Sequence, residues 1–323
     1  PTPSESPQTI LFAIEPQFTW ASSFSEGLAQ VEINGKIGYI DQSGSVVIAP
    51  KFDEADDFSE GLAVVWISGQ NRGYINQAGN FVIQPKFLKG GAGKFSEGLA
   101  RAWLVRTWGY INKSGNFVIE RQFPIASDFS EGLAAVKIGN EWGYIDKSGT
   151  VAIEPQFSGA SNFSEGLALV KVGDKWGYID NTGYGVISPQ FNQAYNFKEG
   201  LAGVQVDGKW GYIDKSGNYV IKPQFDKAWI FNEDLAGVNI GGKWGYIDKS
   251  GTFVISPQFV EAYNFKEGLA TVQVNGKWGY IDKSGNYVIR PQFDRAWDFS
   301  EGMAPVQVAG KRGYIRNPLT QNY

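Results

Sequence analysis

Lys209 to Gln224 reads KWGYIDKSGNYVIKPQ, and the chain restates it as KWGYIDKSGTFVISPQ from Lys243 and KWGYIDKSGNYVIRPQ from Lys277. Weaker copies run back towards the N-terminus. The Gly of the G-Y-I triplet falls at Gly38, Gly73, Gly109, Gly143, Gly177, Gly211, Gly245, Gly279 and Gly313, spaced by 35, 36 and then six times 34 residues. Phe-x-Glu-Gly-Leu-Ala also occurs nine times from Phe24 to Phe299, with variants at Glu233-Asp234-Leu235 and Glu301-Gly302-Met303. Pro-Gln/Lys-Phe occurs eight times, with Arg121-Gln122-Phe123 as an altered ninth. A period of this size marks a repeat architecture, and it governs how every shorter segment is read.

Each unit reads as three strands and a connector. Leu201 to Val206 alternates as the first strand, Asp207-Gly208 turns it, and Lys209 to Asp214 forms the second. Lys215-Ser216-Gly217 makes the next turn into a third strand, Asn218 to Lys222, which Pro223 is expected to end by removing a ladder donor. In the connector, Phe225, Ala228 and Phe231 stand three apart, the spacing of one helical or 3₁₀ turn. On the second strand Trp210 and Tyr212 point one way and Ile213 the other; the third strand carries Tyr219 and Ile221 on one face and Val220 on the other. A sheet this small with two apolar faces must stack on neighbours at both sides.

The expected fold is therefore all-β: nine tandem repeats of about 34 residues, each a three-stranded meander, stacked as an open superhelical β-solenoid. The alternative is a closed, nine-bladed β-propeller-like ring with a split terminal repeat. The chain starts in a third strand, Ile10 to Ile14, and ends in a second strand, Gly313 to Ile315, a permuted phase that suits closure. The shortness of the repeat for a four-stranded blade favours the open stack. In domain terms this gives a Pro/Ser-rich linker at 1–9, the repeat domain at 10–316 and a tail at 317–323.

Composition narrows function by exclusion. The 323 residues contain no Cys and no His, which removes disulfides, Cys-based zinc sites and Ser–His–Asp triads. A net charge of -4 argues against a nucleic-acid surface, and no apolar run is long enough for a transmembrane helix. No cofactor is expected. The opening PTPSESPQ and the absence of an initiator Met lead us to expect a segment upstream of Pro1.

K-W-G-Y-I-D-K-S-G-x-x-V-I-x-P-Q-F together with F-x-E-G-L-A resembles the WG, or KWG, repeat family of bacterial proteins over residues 10 to 316. Ile37, Arg72 and Arg312 replace the Trp in the first, second and ninth copies. The resemblance implies β-rich tandem repeats without catalytic activity. It favours the bacterial envelope or the outside of the cell over the cytoplasm, and a binding or scaffolding role.

Three residue sets invite a functional reading. The repeated carboxylates, Glu165, Glu199 and Glu267 among nine, have the residue type of a glycosidase pair, but a residue needed in every repeat more simply accepts backbone N–H bonds at a turn. The Asp-x-Ser-Gly turns offer too few oxygens for calcium, and GGAGK at Gly90 to Lys94 does not fit a phosphate-loop frame. Trp108, Trp142, Trp176, Trp210, Trp244 and Trp278 are expected to pack between modules rather than to form a sugar-stacking ladder. The positions that vary within the fixed frame are more informative. The residue after the connector Ala is Ser22, Asp56, Ser127 or Ser161 early in the chain, then Tyr195, Trp229, Tyr263 and Trp297. These four aromatics are the candidate ligand surface. The partner expected is another protein, with a glycan as the alternative.

Overall fold

The computed structural model describes residues 11–88, 90–104 and 106–320, so the linker proposed at 1–9 lies outside the described residues. These residues form nine antiparallel sheets and no helix. In the sixth, Gln193–Ala194 pairs with Ala202–Val206, that strand with Lys209–Ile213, and the last with Tyr219–Phe225. The sheets are counted here by the order of their first strands, from Ala29–Ile33 in blade 1 to Met303–Val308 in blade 9.

The nine sheets are the blades of a closed propeller, not turns of an open solenoid. Phe12–Phe18, from the start of the chain, pairs with Lys311–Arg316 at its end, in the register Phe12↔Ile315, Ile14↔Tyr314 and Phe18↔Arg312. It supplies the third strand that the ninth repeat lacks. Nine apolar clusters each join one blade to the next, and the ring of clusters is complete. The one across the seam packs Met303 and Tyr314 against Phe24, Val31 and Ile40. Both faces of the second strand are used: Tyr212 packs toward blade 7 and Ile213 toward blade 5. The copies lacking Trp are therefore consecutive blades across the seam and not caps of a stack.

The connector is a strand and not a helical turn. Lys227–Ala228 pairs with Asn239 and Val238, and the Trp229 and Asn232 amides bond the Gly237 and Leu235 carbonyls. Its amides thus reach forward, from Trp229 to a strand carbonyl eight residues on, rather than back to the preceding turn. That added strand is how about 34 residues make a four-stranded blade. In three blades it shortens to single bridges, such as Ala126↔Val136.

The third strand also runs on through Pro223 to Phe225, bending where its register against the second strand shifts between Trp210 and Tyr212. The bend brings its backbone onto Gly211, where a Cβ would lie 2.5 Å from the Ile221 carbonyl oxygen and 2.6 Å from Pro223 N. The Gly of W-G-Y-I is fixed by this approach. Because the third strand is the outer edge of the sheet, Tyr219 and Val220 are exposed, and Ile221 and Phe225 are its buried residues. The repeat register continues past 316: Asn317 is buried, and its amide donates to the Gly302 carbonyl at 2.8 Å. Among the described residues, no helix is long and apolar enough to cross a membrane.

Candidate functional site

The repeated Glu residues are spent on closing the ring. Each sits in a two-residue hairpin turn with φ close to 53°, a left-handed conformation rare outside Gly, and is followed by a Gly or Asp that also has positive φ. Its carboxylate accepts from the amides of the next blade's turn. Glu165 takes Glu199 N at 2.5 Å and Gly200 N at 2.9 Å, and Glu199 takes Glu233 N and Asp234 N. Glu267 takes Gly302 N at 3.0 Å, and Glu301 completes the circle on Glu26 N and Gly27 N. Lys215 caps Glu165 at 3.4 Å and donates to its carbonyl. Burial pushes the Glu165 carboxyl up, but the Gly200 and Glu199 amides and Lys215 outweigh it and hold it below the usual range. Equivalent turns bond directly to one another all round, which places them at the inner edges of the blades.

The Asp turns are local. Asp214 Oδ1 accepts from Ser216 N and Asn218 N, both at 2.9 Å. The Ser250 hydroxyl is the main group holding Asp248 below its ordinary value, a role that Ser148 plays for Asp146. Among the described residues, no group of three or more acidic side chains is placed to hold a metal ion.

Three of the four connector aromatics stack on the repeat Trp of their own blade. Tyr195 stacks on Trp210 with centroids 4.6 Å apart and planes 11° apart, Trp229 on Trp244 at 5.2 Å and 6°, and Tyr263 on Trp278 at 5.3 Å and 9°. In blade 9, where Arg replaces Trp, the Arg312 guanidinium lies 4.2 Å from the Trp297 ring. Trp210 and Trp244 are buried; Trp108, Trp142, Trp176 and Trp278 are half-buried. Tyr195, Trp229 and Trp297 are half-buried too, and the Trp229 indole N–H donates to the Ala262 carbonyl of the next blade. Only Tyr263, 42% exposed, is an exposed member of the four.

In blades 6 and 7 room for the ring comes from a Gly eight residues downstream on the first strand. A Cβ on Gly203 would fall 2.9 Å from Tyr195, and one on Gly237 would fall 2.7 Å from Trp229. Blade 3 inverts the pair: Gly93 stands where the ring would be, and Arg101 fills the space with its guanidinium 5.3 Å from Trp108. This size exchange is a signal the sequence carried and our reading of it missed.

Two clefts open on this variable rim. One, about 640 Å³, spans blades 1 to 4 and is lined by Asp56, Asp57, Lys94, Arg101 and Asp128. Arg101 lies 2.9 Å from Asp128, and the buried Gln30 donates to Asp57 at 2.7 Å. Protein mass around the cleft floor pushes the Asp56 carboxyl up, opposed by the charge of Arg72, which is itself ion-paired with Glu54. The other cleft, about 510 Å³, lies between blades 8 and 9, with Tyr263, Trp278 and Trp297 beside Lys266, Gln273 and Asp298. Apart from Asp56 and Lys94, the charged residues of the two clefts were not singled out from sequence; Asp57, Asp128 and Asp298 share the position before the repeat Phe, where other blades carry Ser, Asn, Lys or Ile, and only the ring brings them beside Arg101 and Lys266.

Fold and rim define a nine-bladed β-propeller whose frame repeats and whose connector face does not. The chain belongs to the WG containing repeat family, matched at residues 12–36, 37–66, 73–102 and 108–142, then in five further copies to residue 311. Comparison with curated protein sequences finds no match. Among solved structures, the chain is similar to that of the eukaryotic initiation factor, at 15% identity and a TM-score of 0.63 over 98% of this chain and 93% of that one. BamB from Moraxella catarrhalis is 9% identical with a TM-score of 0.47, covering 91% of this chain and 95% of that one. The computationally designed Ika8 protein is 10% identical with a TM-score of 0.45, covering 94% and 96%. At such identities the first likeness speaks for the fold alone.

Proposed function

We propose that the ring is a non-catalytic binding platform that holds a protein partner on its connector rim. One observation carries the reading: nine nearly identical frames present non-equivalent residues at one position, from Asp56 through Gly93 to Trp229. Tyr212 and its eight equivalents each donate to the backbone carbonyl of that variable residue in the next blade, as Tyr212 does to Trp229 at 2.6 Å. A frame that fixes the backbone while the side chains differ suits recognition, and the mixed charges of blades 2 to 4 suit a protein surface of complementary pattern. The repeated carboxylates are engaged with backbone amides, which supports a structural role for them over acid–base work. For placement we favour the bacterial envelope or cell exterior, on the family resemblance.

The test is a photo-crosslinking residue placed at Lys94 and Tyr195 on the rim and at Val220 on the outer strand. Adducts with one defined protein from the rim positions alone are expected; adducts from Val220 alone would remove the rim from the account. A glycosidase substrate screen with Glu199→Gln and Glu267→Gln tests catalysis. We expect no turnover, and turnover lost in either variant would make the protein an enzyme. A second reading, binding of a glycan, is favoured by the exposed Tyr263 ring held flat on Trp278.

A further inference from the structure

In blades 6 and 7 the connector ring sinks over a Gly of the first strand. Blade 8 has Thr271 at that place, 1% exposed, so its side chain fills the space over which Tyr195 and Trp229 settle. Tyr263, 42% exposed, lines the cleft between blades 8 and 9, its ring parallel to Trp278 and 6.5 Å from the Trp229 ring of blade 7. Across the cleft Trp297 is held by Arg312, whose guanidinium also lies 5.7 Å from Trp20 and donates to the Ala21 carbonyl at 2.8 Å. Both aromatic walls are thus oriented before any ligand arrives, which spares the cost of ordering them on binding.

The polar lining is mixed and close to balanced. Lys266 lies 3.8 Å from Asp298, and Lys277 holds Asp294 at 2.6 Å. The Asp298 carboxylate has only a long contact from the Thr271 hydroxyl, 3.5 Å, beside it. It keeps acceptor capacity, while Arg295, Lys266 and Gln273 offer donors. A phosphate would meet Asp298 and Asp294 here, and a quaternary ammonium would meet Lys266 and Arg295. A neutral molecule with one apolar face and a fringe of hydroxyls meets neither objection: its C–H face lies on the electron-rich ring, and its hydroxyls both give and accept hydrogen bonds. The volume of about 510 Å³ falls within the range of small-ligand sites, roughly 300–1,000 Å³.

We infer that the cleft between blades 8 and 9 is a saccharide subsite, with Tyr263 as its stacking platform and Asp298, Gln273 and Lys266 as its hydroxyl partners. This rests on the second of the two readings above and leaves the protein partner of the rim untouched.

The experiment is an oligosaccharide microarray, followed by tryptophan-fluorescence titration with the best-bound oligosaccharide. Wild type, Tyr263→Ala, Thr271→Gly and Tyr219→Ala are compared, each checked for its fold by circular dichroism. Tyr263→Ala is expected to weaken binding about tenfold or more, as loss of an aromatic anchor does. Thr271→Gly lets the Tyr263 ring sink and weakens binding, whereas Tyr219→Ala, on the exposed outer strand, binds as wild type does. Binding that survives Tyr263→Ala would overturn this cleft as the site while leaving the glycan reading in place. A folded wild-type protein that retains no saccharide would overturn both.

Discussion

The Tyr280 hydroxyl donates to the backbone carbonyl of Trp297 at 2.7 Å, from a ring that is fully buried between blades 8 and 9. A residue present in all nine blades thereby holds the backbone of one that is Ser, Asp, Gly, Tyr or Trp depending on the blade. The pairing also explains why the G-Y-I tyrosines are not replaced by Phe in any copy: without the hydroxyl, the connector carbonyl would have no partner in the crevice.

Tyr280→Phe is accordingly expected to cost about 1–3 kcal/mol of unfolding free energy, the penalty of one buried polar group left unpaired. Equilibrium urea denaturation measures it. Tyr263→Phe, at the exposed ring, should stay within about 0.5 kcal/mol of wild type. Equal losses at the two sites would mean that the Tyr280 bond does not support the rim.

Gly211 and Gly185 make a second contrast. A methyl at Gly211 would meet the Ile221 carbonyl oxygen at 2.5 Å, whereas one at Gly185 meets nothing within 4 Å. Gly211→Ala must push the third strand off the second and should lose more than about 2 kcal/mol; Gly185→Ala should be close to neutral. Thermal melts of the two variants side by side give the answer.

What was legible in the sequence was what is local to one repeat. Trp210, Gly211, Tyr212 and Ile213 reveal a strand, Asp207-Gly208 and Ser216-Gly217 its turns, and the recurrence of Glu165 at Glu199 its structural use. The fourth strand was not legible because Lys227–Ala228 is two residues long and its partners, Asn239 and Val238, lie beyond an intervening turn. Ring closure was hidden for a related reason. Curvature is set by how Tyr212 of one blade meets Ala228 and Phe231 of the next, and no spacing within the chain encodes that angle. At the rim, the four aromatics were visible, but the residues that sink or lift them, Gly203, Gly237 and Thr271, become meaningful only once the strands are paired.

Acid should weaken the ring. Burial pushes the Glu97 carboxyl up, but Lys147 and the Gly132 and Glu131 amides outweigh it, so that Glu97, like Glu165, titrates below its ordinary value; the Ser250 hydroxyl lowers Asp248. A carboxyl that binds its proton less readily folded than unfolded stabilises fully above its unfolded pKa, about 4, and that contribution is lost as pH falls through the lower folded value. Burial raises Asp298, as the cleft floor does Asp56, and both run the opposite way, with their penalty relieved as they protonate. Scanning calorimetry from pH 7 to 3 should show the melting midpoint falling below about pH 4, with a shallower fall in Glu165→Gln. A midpoint that rises in acid would mean the two raised carboxyls dominate the belt.

The rim is continuous only if the first and last strands of the chain meet in one blade, and the absence of native Cys allows a direct test. Phe12 and Ile315 are register partners across the seam, and such opposed residues place their Cβ atoms about 4.5–5.5 Å apart. Phe12→Cys with Ile315→Cys should form an intramolecular disulfide on mild oxidation of the native protein, shifting its mobility on a non-reducing gel and raising its melting temperature. Two thiols that stay free in folded, oxidised protein would contradict the closed ring.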